Sequence, residues 1–118
     1  MNQDVVDLNE VLERVQNDKD LLLELFDIFL EDCPAKIASL KDAVATKDIS
    51  KLRDVAHSMK GASANIAAKR INASFLQMEQ LAKNNALTGI EQLLKDIDGQ
   101  INDLKVYAQK LKVEFKKK

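Results

Sequence analysis

The chain has 118 residues, of which 46% are hydrophobic and 31% charged, and its formal net charge is −1. That length suits one domain with a real core and is too short for two. The balance excludes a disordered chain and leaves no global electrostatic case for nucleic-acid binding. Three glycines, one proline and 4% aromatics, in a background of Leu, Ala, Lys, Asp, Glu and Ile, are the makeup of an all-helical bundle.

A short first helix opens near Asp7, where "DLNE" reads as a capping box with Asp7 in the cap position and Glu10 three residues on. Its apolar positions Val5, Leu8, Val11, Leu12 and Val15 fall at helical spacing. "NDKD" starts a second helix, from about Asp18 to Ala45. There Leu21, Leu22, Leu23, Leu25, Phe26, Ile28, Phe29 and Leu30 cover more than one face, which predicts burial on several sides with the first helix laid over it. Pro34 has no N–H for the Leu30 carbonyl, so a kink is expected there. "TKDIS" breaks the pattern, and a third helix runs from about Ile49 to Ile66. A fourth covers about Lys69 to Asn84, with Ile71, Phe75, Met78, Leu81 and Ala82 inward.

"TGIE" at Thr88–Glu91 reads as a capping box for a last helix carrying Ile90, Leu93, Leu94, Ile97, Ile101, Leu104, Tyr107, Ala108 and Leu111. The lysine-rich end from about 112, "KVEFKKK", reads as a solvated tail. No segment shows the period of two that marks a strand. The expected fold is all-α, an antiparallel four-helix bundle with a short additional N-terminal helix, in one domain over 1–118.

The single cysteine, Cys33, excludes an internal disulfide and a zinc ligand pair. The start "MNQDVVDLNE" lacks the apolar centre of a signal peptide, and the runs Leu21–Leu23 and Ile28–Leu30 fall far short of the ~18 residues of a membrane span. The cytoplasm is the default location, and Met1 with self-contained helices fits a free-standing monomer.

The chemistry concentrates in "LRDVAHSMKGASANIAA", Leu52 to Ala68. On a helical wheel Leu52, Val55, Ala56, Met59, Ser63 and Ile66 form the core face, and His57, the only histidine, lies roughly 150° from its centre, toward water. Lys60, Gly61, Ala64 and Ala68 share or border its stripe on the C-terminal side; Ser50, Arg53 and Asp54 flank it on the other. A lone surface histidine can be a residue without a role. A glycine one turn on is unfavourable for the helix by about 0.5–1 kcal/mol, yet it lets another molecule come close to an imidazole. An imidazole, with an ordinary pKa near 6.5, is partly neutral and nucleophilic at cytoplasmic pH. A lysine three residues on reaches the same neighbourhood.

"AHSMKGASANIAA" resembles the signature of the histidine-containing phosphotransfer (HPt) domain of two-component phosphorelays. It matches that pattern at His57, Ser58, Lys60, Gly61, Ala64, Asn65 and Ala68, with Met59 and Ile66 as apolar replacements and Ala62–Ser63 inverting the usual small pair. The upstream Leu/Phe-rich segment with its acidic-x-Pro bend and the downstream "QMEQLAKNN" extend the resemblance over most of the chain. Two departures stand out: Ala67 where the family often has glycine, near the helix end, and Lys83 in place of an arginine, which keeps the charge without the bidentate fork.

The resemblance implies that His57 accepts a phosphoryl group from a receiver-domain aspartyl phosphate and passes it to another receiver aspartate. Lys60 would balance charge and Gly61 would leave room for the partner loop. The implied partners are response-regulator receiver domains and a hybrid sensor kinase; the receiver brings the acidic pocket and Mg²⁺, so no cofactor of this chain's own is expected. Arg53, Ala64 and Lys83 are expected partner contacts. The family's apolar docking patch would draw on exposed members of Val5, Leu8, Val11 and Leu12, with Met59 near the rim.

Gly61, Gly89 and Gly99 are scattered and form no phosphate loop, so a kinase using ATP is not expected. The acids of "LEDCPA" and "LKDID" read as solvated faces, and Cys33, Met59 and Met78 as core. The alternative to a phosphocarrier is a helical binding module that docks receiver or kinase domains without transfer.

Overall fold

The computed structural model describes residues 5–116. Five helices appear among them: α1 (Leu8–Arg14), α2 (Lys19–Thr46), α3 (Ile49–Asn65), α4 (Lys69–Lys83) and α5 (Ile90–Lys116). No strand occurs among the described residues. Helices α2 and α3, α3 and α4, α4 and α5, and α5 and α2 pack as neighbours, closing an antiparallel four-helix bundle.

Three aspartates start the first three helices. The side chains of Asp7, Asp18 and Asp48 accept hydrogen bonds from the backbone N–H of Glu10 (3.1 Å), Leu21 (3.0 Å) and Lys51 (3.1 Å), satisfying donors that the first turn leaves free. The box at Asp7 closes on one side only, because the Asp7 N–H donates to the Ala67 carbonyl (2.9 Å) and Glu10 turns to Arg14 and Lys69. The expected box at Thr88 does not form. Helix α5 begins one residue later, and Gly89 (φ 91°) provides the carbonyl for the first helical bond, from Leu93.

Four helices end without glycine. The turns after α1, α2, α3 and α4 hold Asn17, Lys47, Ala67 and Asn85 in the left-handed region, and each is closed by paired backbone bonds such as Asp48 N–H to Ala43 O and Ala86 N–H to Leu81 O. Ala67 is the departure noted in the sequence. It sits fully buried in the turn from α3 to α4 with φ 55°, and its N–H and that of Ala68 close the helix on Ala64 and Ser63.

The long helices α2 and α5 overhang the shorter α3 and α4. Their overhanging halves meet through Asp27–Lys112 (3.1 Å) and the Lys19 ammonium over the Phe115 ring (5.1 Å). Helix α5 therefore continues to Lys116, with Phe115 packed against the core, where a solvated tail was expected. Helix α2 is continuous through Pro34. Of its apolar residues Leu22, Phe26 and Phe29 are buried, whereas Leu21 and Ile28 are exposed, because neighbouring helices cover one broad face and not the whole perimeter.

The core face of α3 holds Leu52, Ala56, Met59 and Ser63, with Ile66 just beyond its end. Val6, which the sequence pattern left out, is fully buried. Met59 lies in the core and not at a docking rim.

Candidate functional site

Helices α3 and α4 lie side by side, and their register is held next to His57 by the Asn72 side-chain amide, which donates to the Lys60 carbonyl (2.8 Å). Glu79 stands two turns beyond Asn72 on α4 and so presents its carboxylate to the same face of α3. One carboxylate oxygen accepts from His57 Nδ1 (2.8 Å) and the other from Lys60 Nζ (2.7 Å). His57 is 68% exposed at its side chain, Glu79 only 23%. The imidazole therefore stands in solvent on a half-buried acidic support.

That arrangement decides which ring nitrogen is available. An ionised carboxylate only accepts hydrogen bonds, so in the neutral ring Nδ1 carries the proton and Nε2 the lone pair. Glu79 is held below the ordinary carboxylate range chiefly by the Lys60 hydrogen bond; burial opposes this, and the His57 hydrogen bond and the nearby charges add to it. It is thus ionised at neutral pH, as the Nδ1–H tautomer requires.

Gly61 is exposed, and a Cβ built on it meets nothing within 4 Å. Nothing inside the chain calls for glycine there. Arg53 and Lys83 are exposed and form no ion pair among the described residues. Ala64 is half-buried, and its carbonyl accepts from the Arg14 guanidinium of α1. With Glu10–Lys69 (2.8 Å) and Asp7–Ala67, this clips α1 onto the turn after α3.

The apolar patch expected on α1 needs correction. Leu8 and Leu12 are half-buried and present apolar surface, but Val11 is 0% exposed and packs in the core. On α2, Ile28 is an exposed large apolar side chain, at 56%. Glu79 was missed as a site residue. It lies on α4, 22 residues from His57; its sequence signals are a helical phase beside the core positions Phe75, Met78 and Ala82 and its place within "QMEQLAKNN", a segment of the resemblance to which no role was given.

An exposed imidazole braced at one nitrogen by a half-buried carboxylate thus stands on the side of a four-helix bundle. Residues 24–107 match the Hpt domain family, and the chain belongs to that family. It is 26% identical over 103 residues to histidine-containing phosphotransfer protein 2 of Arabidopsis thaliana, an alignment covering 83% of this chain and 66%, just under two thirds, of the relative. Its fold matches the crystal structure of histidine-containing phosphotransfer protein B (HptB) from Pseudomonas aeruginosa PAO1 with a TM-score of 0.79 and 26% identity, covering 87% of this chain and 91% of the other.

No helix among the described residues is long and apolar enough to cross a membrane, and no group of three or more His, Cys, Asp or Glu among them is placed to hold a metal ion.

Proposed function

We propose that the chain is a phosphorelay intermediate in the cytoplasm that carries a phosphoryl group on His57 between receiver domains. The observation that carries this is the pairing of an exposed ring with the Glu79 brace at Nδ1 and open space over Gly61. The Nε2 lone pair attacks the phosphorus of a receiver's aspartyl phosphate; the P–N bond forms as the P–O bond to aspartate breaks, and the aspartate leaves as a carboxylate. The phosphorylated ring is then a cation whose Nδ1–H remains held by Glu79. A second receiver's aspartate reverses the same exchange.

Lys60, held at the other oxygen of the carboxylate that braces the ring, swings to the incoming phosphoryl oxygens as a point charge. Gly61 admits the receiver's loop. Arg53 and Lys83 add positive charge for an acidic receiver pocket, Ala64 borders it, and Leu8, Leu12 and Ile28 supply apolar docking surface. Mg²⁺ belongs to the receiver. The donor in this scheme is the receiver of a hybrid sensor kinase and the acceptor that of a response regulator. The carrier itself takes nothing from ATP.

Incubation with a receiver charged by acetyl phosphate tests the proposal. Acid-labile phosphate is expected on His57 and absent from His57→Gln. A His57→Gln protein that still accepts label defeats the carrier assignment, and receiver binding without transfer at any time makes the chain a docking module.

A further inference from the structure

Gly99 poses the same question as Gly61, on a face that phosphotransfer does not use. It lies inside α5, is exposed, and a Cβ built on it meets nothing within 4 Å. Glycine is unfavourable in a helix interior relative to alanine, and no packing within the chain calls for it. At heptad spacing from it stand Val106 and Val113, 51% and 57% exposed and among the few large apolar side chains on the surface. A seven-residue step is nearly two helical turns, so Gly99, Val106 and Val113 form one stripe. It lies opposite the buried Ile97, Leu104 and Leu111 of the same helix.

The charges of α5 are divided along its length. Ile90–Asp103 holds four acids and one lysine; Leu104–Lys116 holds four lysines and one acid. A parallel neighbour of the same kind would set like charge against like. An antiparallel one sets the acidic half against the lysine half.

We propose that this stripe is a self-association surface on which a second copy of the chain packs its own α5 antiparallel, in place of the monomer expected from the sequence. Gly99 and Val113 are equidistant from Val106 along the helix. A two-fold axis through Val106 therefore puts each Val113 over the open Gly99 of the other copy and Val106 against Val106. The same register brings Asp103 of each copy near Lys110 of the other. Gly99 is what allows the approach, since a side chain there would hold Val113 off the backbone. Contact along one stripe falls short of the roughly 1,200 Å² of a stable complex, so the pair is transient, with a dissociation constant above about 10 µM. Helix α5 packs against α2 and α4, and His57 on α3 lies diagonally across the bundle, so both copies keep an open site.

Sedimentation velocity of the full chain from about 5 µM to about 1 mM tests this. The sedimentation coefficient is expected to rise with concentration, and Val106→Glu to weaken the association by at least about tenfold. Val106→Cys is expected to form a symmetric disulfide dimer, since Cys33 is buried and does not compete. His57 labelling in Val106→Glu is expected to stay at the parent level, showing that the variant is folded. Monomeric sedimentation throughout overturns the proposal and leaves the stripe to a different protein. A dimer that Val106→Glu does not weaken uses another face and overturns it equally.

Discussion

His57 and Cys33 are each the only residue of their kind in the chain, and both carry a nucleophilic atom, yet their surroundings treat them in opposite ways. His57 stands at the junction of α3 and α4, with its ring in solvent and a carboxylate behind it. Cys33 lies at 2% exposure in the junction of α2 and α5, under a groove lined by Leu30, Pro34, Ile37 and Ile101. Burial pushes its thiol up to about 12; Asp32 adds to the rise and Lys105 opposes it. The thiolate is the reactive form, so the α2/α5 junction silences its nucleophile while the α3/α4 junction presents one. Reactivity here is decided by which helix pair a residue falls between.

The largest expected difference is in thiol chemistry. A shift from 9.0 to about 12 leaves on the order of a thousandfold less thiolate at neutral pH. The folded chain should therefore resist a disulfide-exchange reagent that labels it at once in denaturant. Rapid labelling of the native chain would show that the α2/α5 junction opens. Next comes the brace behind the imidazole. Glu79→Ala should slow transfer from a charged receiver by roughly 10–100-fold, the effect of losing a group that orients a reacting histidine. Glu79→Gln should slow it less, since an acceptor for Nδ1–H remains. ¹⁵N spectra of the ring should show the Nδ1–H tautomer losing its dominance in the alanine variant. An unchanged tautomer would make Glu79 a surface ion-pair partner only.

A third expectation concerns acid. Glu79 titrates below its ordinary value of 4.5 in the folded state, so its stabilising contribution is complete above that value and is lost as pH falls through the lowered one. Carboxyl ¹³C titration of Glu79 should show the low midpoint, and both His57 and Lys60 should lose their partner together. The smallest effects belong to the positions that frame the histidine. Gly61→Ala should stabilise the fold by up to ~1 kcal/mol in thermal melts, because the added methyl enters open space, while it impairs transfer. His57→Ala should change stability by less than ~0.5 kcal/mol, as suits an exposed side chain. A loss of several kcal/mol in either variant would mean that the α3 surface is structural.

Much of this was legible in the residues alone. The aspartates Asp7, Asp18 and Asp48 announce helix starts because a short carboxylate satisfies first-turn donors locally, whatever the rest of the chain does. The burial of Leu52, Ala56, Met59 and Ser63 and the exposure of His57 follow from a single period, since one helix has one inward face. The same logic overreached on α2, where apolar residues outnumber the surfaces available to cover them and Ile28 is left in solvent. It also overreached at 112–116, where a lysine-rich composition hid an amphipathic turn ending in Phe115.

Sequence alone thus settled the local matters: where helices begin, which side of each turns inward, and that one imidazole points out. Tertiary structure decided the rest. It set Glu79 behind His57, buried Val11 rather than exposing it, and forced Ala67 into a left-handed turn. The division is physical. Capping and periodicity act over three to seven residues and can be read along the chain, whereas the rotation of one helix against another is the joint outcome of every side chain packed between them.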